Sequence, residues 1–397
     1  MRTFQIAIVG AGVIGQTLAI TLARLGFSVL LIEQRPLMTD MPSQEDAWRE
    51  RCVALNLESQ QLLKQCGVNW DRLGPFCQNY SKMQVWDADS TASIDFLATE
   101  LYLESLGCIL PTSALSVCLS DCLQAYPNIC ILAPHCVQTY RMNADSVTVC
   151  CEKTEHTVQL VVAAEGVRSQ LRELFGFQMQ TWDYQQASVV ATIQVTQGDA
   201  HCAYQQFQGV EGPIALLPLP KPNWYSLVWS TTPAHATVLC AMERADFAQA
   251  LKQVTMGFFG DITCLTEPKQ HPLVMQHTKE YFRERCVLVG DSAHSVHPLA
   301  GLGMNLGLKD VKVLATVLSV AKQQQRDLAD SAVLKQYHQS RYPEVWEVIA
   351  FLEVIKRSFS SGHPVMRQLR ELGLGFVAKQ PWLKKQFMKV AIGIVSG

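Results

Sequence analysis

The sequence predicts an α/β protein in which a Rossmann-type dinucleotide fold is interrupted by an inserted β-sheet domain and closed by C-terminal helices. Three features carry this expectation. A strand pattern, a glycine-rich turn and a helical pattern follow one another up to Glu33. Strand patterns then dominate from about 178 to 275, and the apolar run Cys286 to Gly290 reads as a strand that returns to the first sheet.

In chain order, Phe4 to Val9 reads as a buried strand, Val13 to Leu25 as a helix with Gly26 at its C-cap, and Ser28 to Glu33 as a second strand. Ser43 to Cys66 is polar and helix-prone. Ile129 to Leu132, Val147 to Val149 and Val158 to Ala163 are short β-prone runs. Ala187 to Val195 and Trp224 to Ser230 are strands of the insert, with Pro218, Pro220 and Pro222 between them. Leu306 to Lys322 and Leu334 to Ser358 are helical, as is the partly apolar stretch 364–397. The expected division is a nucleotide domain over 1–177 with small sheet insertions, a sheet-rich substrate domain over 178–280, a return segment over 281–330 and a helical region over 331–397.

Composition narrows the function. With 33 basic against 35 acidic residues the net charge is -2, which provides no field for a nucleic-acid backbone. The 14 cysteines form no Cys-x-x-Cys pair, so they read as reduced core residues rather than a disulfide framework or metal site. No stretch has the length and apolarity of a membrane span, and the N-terminus lacks a signal-peptide shape. The expectation is a cytoplasmic protein.

Gly10-Ala11-Gly12-Val13-Ile14-Gly15 lies between the first strand and the first helix. One glycine turns the chain, one admits a pyrophosphate, and one lets helix and strand pack closely. Glu33, followed by Gln34, ends the second strand, where a carboxylate accepts from ribose hydroxyls. A second constellation lies far downstream. Gly290-Asp291 follows an apolar strand, and Gly301-Leu302-Gly303-Met304-Asn305 opens a helix. A carboxylate there suits a ribityl chain, and helix N–H groups suit the pyrimidine end of a flavin. A nicotinamide-only dehydrogenase has no use for this second set.

The run from Gly290 to Asp310 (Gly-Asp-Ser-Ala-His-Ser-Val-His-Pro-Leu-Ala-Gly-Leu-Gly-Met-Asn-Leu-Gly-Leu-Lys-Asp) resembles the second flavin motif of the ubiquinone-biosynthesis hydroxylases. These form a branch of the p-hydroxybenzoate hydroxylase class of flavin monooxygenases. The likeness continues in Gly212 to Leu219, Ser226 to Ser230, Tyr337 to Arg341 and the tail from Leu369 to Leu374. It implies that Arg51 contacts the FAD pyrophosphate region, that the Val137 main chain meets the adenine, and that Glu165-Gly166 matches an Asp-Gly motif serving FAD and NAD(P)H. Three positions depart from the family pattern: Glu165 replaces aspartate, Leu302 replaces glutamine and Ser113 replaces arginine.

The resemblance further implies that NADH or NADPH reduces FAD and that one atom of O2 enters an electron-rich phenol ring. Pro298 would border flavin and substrate through its main chain. His297 and His294 have the chemistry of proton carriers, and His294 is equally read as packing beneath the flavin loop. Phe207, Leu216, Leu217 and Trp229 are candidates for a dry wall. The implied substrate is a hydrophobic, polyprenylated phenol or benzoquinol, obtained from the inner face of a membrane or from an assembly of pathway enzymes. The C-terminal segment with Trp382 and Met388 among lysines reads as an interfacial or a closing helix. Two other readings stay open: a flavin monooxygenase of a soluble aromatic compound, and a non-catalytic flavoprotein subunit.

Overall fold

The computed structural model describes residues 2–50, 52–88, 93–152, 154–208, 212–296 and 301–360, with 380, 382, 384, 385 and 388 of the tail. Two large sheets and a small one organise these residues.

The first sheet runs in the order Phe282–Arg283, Cys286–Leu288, Thr154–Ala163, Arg2–Val9, Val29–Ile32, Ile129–Leu132. Arg2–Val9 pairs in parallel with Thr154–Ala163 on one side and Val29–Ile32 on the other. Ile6, Ala7 and Ile8 are fully buried, as a central parallel strand covered on both faces shows no polar alternation. The helix Val13–Arg24 packs on this sheet and against Thr112–Leu123 and Leu302–Gln323.

The second sheet runs His294–Ser295, Lys269–Thr278, Met179–Val195, Trp224–Thr231, Ile214–Pro218, Cys202–Phe207, Lys82–Asp87, Ser93–Leu97. It draws on three regions of the chain. Lys82–Asp87 pairs in parallel with Cys202–Phe207, and His294–Ser295 pairs antiparallel with Lys269–Thr278. The helices Pro233–Ala241 and Arg244–Val254, which the strand-dominated reading of 178 to 275 did not include, cover its outer face. Val189, Ile193, Leu216, Leu227, Trp229 and Phe247 form the core beneath them. Its inner face is turned to the nucleotide fold: the Thr192 hydroxyl donates to the Trp48 carbonyl, and Leu217 packs on the first core.

Sequence and structure differ in two further places. Within the helix-prone Ser43 to Cys66, Cys52–Asn56 is a strand between the helices Gln44–Ala47 and Leu57–Gln65. Its apolar Val53, Ala54 and Leu55 pair with Gly107–Pro111, so tertiary pairing overrides local propensity. The helix expected from Leu306 starts four residues earlier, at Leu302, because Gly301 takes a left-handed cap with φ 62°. Of the tail expected to be helical, 364–379 and most of 381–397 lie outside the described residues, including Leu369 to Leu374. Trp382 is exposed, while Met388 is buried against Ala98 and Leu106.

Where the two sheets meet, a histidine–tyrosine seam replaces aliphatic packing. His277 lies opposite His294 across the strand pair, bonds the Tyr281 hydroxyl at 2.8 Å and stacks on Tyr342 at 4.8 Å. Burial, reinforced by neighbouring His294 and His338, pushes the His277 imidazole down to about 3, against the partial compensation of Asp310. Unfolded imidazole titrates near 6.5, so the native state is at full stability above that pH and loses it as pH falls toward the folded value. Between pH 7 and pH 5 the loss from this one group is about 2 kcal/mol. His277→Phe keeps the ring stack and removes the titration, so urea unfolding at both pH values should show a smaller acid loss for the variant. Equal losses would contradict this assignment.

Candidate active site

The first glycine motif forms an open cradle. Gly10 has φ +103°, and a Cβ there would stand 2.4 Å from the Ala164 carbonyl oxygen. A Cβ on Gly15 would lie 1.8 Å from the Gly10 oxygen, so the helix rests directly on the turn. A Cβ on Gly12 would meet nothing within 4 Å. This open space adjoins the N-terminus of Val13–Arg24, which has no side-chain cap and no acid in its first turn. Uncapped helix N–H groups beside such a space are an anion site.

Glu33 closes one end of the cradle. Its carboxylate accepts the Ala11 N–H at 2.7 Å and the Arg35 N–H at 3.0 Å, which leaves lone pairs for hydroxyl donors. Gln34 follows it, exposed. The His135 N–H donates to the Glu33 carbonyl at 2.7 Å and so draws buried Val137 alongside. On the other side Gln16 donates to the Ala11 carbonyl and to Ser116 of the helix Thr112–Leu123. One turn before Ser116, the buried Ser113 hydroxyl has no partner among the described residues. Together with the open Gly12 side, this orphaned hydroxyl fits a polar group bound in the cradle, as the pyrophosphate of FAD would be.

The second constellation is built onto the first. Gly290 and Gly307 both lie against Ile14, where added Cβ atoms would approach to 3.3 and 2.8 Å. Asp291, half-buried, sits in the turn after Cys286–Leu288. The Gly166 N–H donates to the Ser292 hydroxyl at 3.0 Å, which ties the Glu165-Gly166 loop to this turn. The Glu165 carboxylate is engaged locally: it accepts from the Ser169 hydroxyl at 2.5 Å and the Leu171 N–H at 3.0 Å, at the start of Gln170–Leu174. Burial raises its pKa, and these hydrogen bonds only partly offset that. The extra methylene over aspartate thus serves the short helix.

At Gly301 to Asn305 a 22-residue helix begins without a side-chain cap. Asn305 is fully used in structure. Its oxygen accepts the Asn56 N–H and the Ser59 hydroxyl, and its amide donates to the carbonyls of Ala54 and Gly301. Leu302 joins Val296 against a cluster of Val85, Phe207 and Leu352, and Met304 packs on the first core. Arg51, His297 and Pro298, expected to touch cofactor or substrate, lie outside the described residues.

The four wall candidates divide by strand alternation. Phe207 and Leu217 point inward, whereas Leu216 and Trp229 belong to the outer core, away from the cradle. The inner face also carries Ala215 and Val228, both half-buried although interior, so space remains in front of them.

Sequence reasoning missed the group beneath the second constellation. Asp310, fully buried, accepts the Gly290 N–H at 2.8 Å, His294 Nε2 at 2.7 Å and Arg341 Nε at 2.7 Å. Burial pushes its carboxyl up, but the fields and hydrogen bonds of His294 and Arg341 prevail and hold it at about 2. A signal existed: one acid among the buried residues Leu306, Leu308, Val311 and Leu314 requires a buried partner. His294 Nε2 is bound to Asp310, which fits the reading of a histidine packed beneath this loop.

An uncapped cradle with an acid at its rim, joined through Ile14 to a second glycine turn and helix start, fits an FAD-binding flavoprotein. The model of the FAD-binding domain family matches residues 3–352. The chain is 33% identical over 395 residues to 3-demethoxyubiquinol 3-hydroxylase of Escherichia coli, covering 98% of each. It is 32% identical over 393 residues to ubiquinone hydroxylase UbiL of Rhodospirillum rubrum, covering 99% of this chain and 90% of that one. Its fold matches p-nitrophenol 4-monooxygenase PnpA from Pseudomonas putida with a TM-score of 0.78 at 18% identity, over 99% of both chains. The chain belongs to the FAD-binding-domain family of flavoprotein monooxygenases, among relatives named as hydroxylases of ubiquinone biosynthesis.

The cradle geometry separates ligand loss from fold loss. Gly12→Val fills open space, so the variant should fold normally and bind FAD at least about a hundredfold more weakly, ~3 kcal/mol. Gly15→Ala drives a methyl into the Gly10 carbonyl and should lower the melting temperature of the FAD-free chain as well. Calorimetric titration with FAD and thermal denaturation distinguish the two.

Proposed function

We propose that this protein hydroxylates the aromatic ring of a polyprenylated phenol or benzoquinol intermediate in ubiquinone biosynthesis. The observation that carries the reading is the position of the apolar inner face. Val85 and Phe207 pack with Val296 and Leu302 at the same helix start that suits the flavin ring. An electron-rich, water-insoluble ring needs such a wall beside the cofactor.

FAD supplies the redox chemistry, with NADH or NADPH as reductant and O2 as the source of the transferred oxygen. Gly10 to Gly15, Glu33, Gln34, Arg51 and Val137 would hold its nucleotide half. Gly290, Asp291 and the Gly301–Asn305 main chain would hold the ribityl chain and ring, with Glu165-Gly166 in support. His297 and Pro298 are proposed to border the substrate. Phe207, Leu217 and Leu302 exclude water, which would otherwise divert reducing equivalents to hydrogen peroxide. Nonaromatic half-buried positions Ala215 and Val228 leave room for the ring. No helix among the described residues is long and apolar enough to cross a membrane. A peripheral site at the membrane's inner face, or in an enzyme assembly, is therefore proposed for collecting the substrate.

The test is quinone profiling, by mass spectrometry, of an aerobic cell lacking this gene and any redundant hydroxylase. One under-hydroxylated prenylphenol should accumulate, and the intact gene should clear it where a Gly12→Val copy does not. Unchanged quinone pools would contradict the assignment.

A further inference from the structure

We propose that Asp310 is the positioning residue of the flavin site: one buried carboxylate holds the Gly290–His294 turn and the Gly301–Asn305 helix start in binding geometry before the cofactor arrives. The proposal rests on the reading that these two segments receive the flavin.

The bonding pattern is specific. Asp310 Oδ2 accepts both the Gly290 N–H, at 2.8 Å, and His294 Nε2, at 2.7 Å. Those two donors bracket Asp291, so a single oxygen sets both ends of the turn that carries the expected ribityl acceptor. Asp310 Oδ1 accepts Arg341 Nε at 2.7 Å, and Arg341 also donates to the Leu306 carbonyl and pairs with Glu344. Asp310 and Arg341 are both 0% exposed, so neither charge is satisfied by solvent.

Asp310 does not touch the ring. It stands eight residues after Leu302, a rise of roughly 12 Å along the helix, and acts through main chain. Ser292 is tied to Gly166 and the Ala293 carbonyl to Thr278, but the two ends of the turn, Gly290 (left-handed, φ +59°) and His294, share the Asp310 carboxylate. His294 is fixed from the far side by its strand pairing with His277. The turn is therefore clamped between the second sheet and the Leu302–Gln323 helix, where Gly307 packs against Gly290 and Asp310 supplies the hydrogen bonds. A preformed site of this kind saves the ordering cost on binding.

Substitution separates positioning from mere folding. Asp310→Asn puts an amide donor where either Gly290 N–H and His294 or Arg341 must donate, so at least one donor faces another. His294→Leu removes one bond and leaves the Asp310–Arg341 pair, and with it the fold, in place. His294→Gln keeps a donor within reach of the carboxylate.

The full chain, freed of cofactor and titrated with FAD, is read by affinity, by the shape of the bound flavin's visible absorption band and by far-ultraviolet circular dichroism. We expect Asp310→Asn and His294→Leu to weaken FAD binding at least tenfold and to alter the band, with unchanged circular dichroism for His294→Leu. His294→Gln should bind within threefold of the unsubstituted chain and restore the band. If Asp310→Asn fails to fold, the His294 pair decides the matter. Wild-type affinity and band shape in His294→Leu would overturn the proposal. Failure of the unsubstituted chain to bind FAD would instead overturn the flavin-site reading itself.

Discussion

A buried carboxylate without solvent is costly unless it is paired and hydrogen-bonded, and Asp310 accepts from three donors, Gly290, His294 and Arg341. That requirement fixes more of this molecule than any single apolar contact. It brings the turn after Cys286–Leu288, the helix Leu302–Gln323 and the helix Ser331–Ser360 to one point. Tyr337, one turn before Arg341, extends the same joint by donating its hydroxyl to the Leu288 carbonyl at 3.0 Å. Removing one partner of such a group typically costs about 3–5 kcal/mol, because the remaining charge stays buried.

Close main-chain packing couples the two glycine motifs, which lie almost 300 residues apart in sequence. Ile14 belongs to the first and rests on Gly290 and Gly307 of the second. The two glycine turns are consequently packed directly on one another. The second sheet then adds a wall. Its period-two alternation sends Leu216, Leu227 and Trp229 to the outer helices and leaves Phe207, Leu217 and Val228 facing the cofactor side. One sheet thereby supplies an independent core and an apolar inner face.

Much of this was legible in the chain. The Gly10–Gly15 turn, Glu33, the Gly290–Asp291 turn and the Gly301–Asn305 helix start are local patterns whose geometry follows from short-range sterics and hydrogen bonding. The strand at Cys52–Asn56 was not, since its pairing partner Gly107–Pro111 is remote and its flanks favour helix. Nor was the joining of Lys82–Asp87 to Cys202–Phe207, a parallel pairing that no local signal encodes. Strand patterns are legible in the insert, but not which face looks inward, so by sequence alone Leu216 and Trp229 fall in one group with Phe207 and Leu217. Glu165 and Asn305 show a further limit. Both occupy motif positions, and the structure engages their side chains in capping and stitching rather than directing them at the cradle.

A preformed flavin site beside a dry apolar wall is proposed to deliver oxygen to an aromatic ring. The most direct measurement is turnover of the purified, FAD-loaded protein with NADH or NADPH under 18O2, using a farnesylated phenol as probe and mass spectrometry of the product. The account predicts a ring-hydroxylated product that carries one 18O atom. Consumption of the nicotinamide with all oxygen recovered as hydrogen peroxide, and the phenol unchanged in the presence of bound probe, would contradict it.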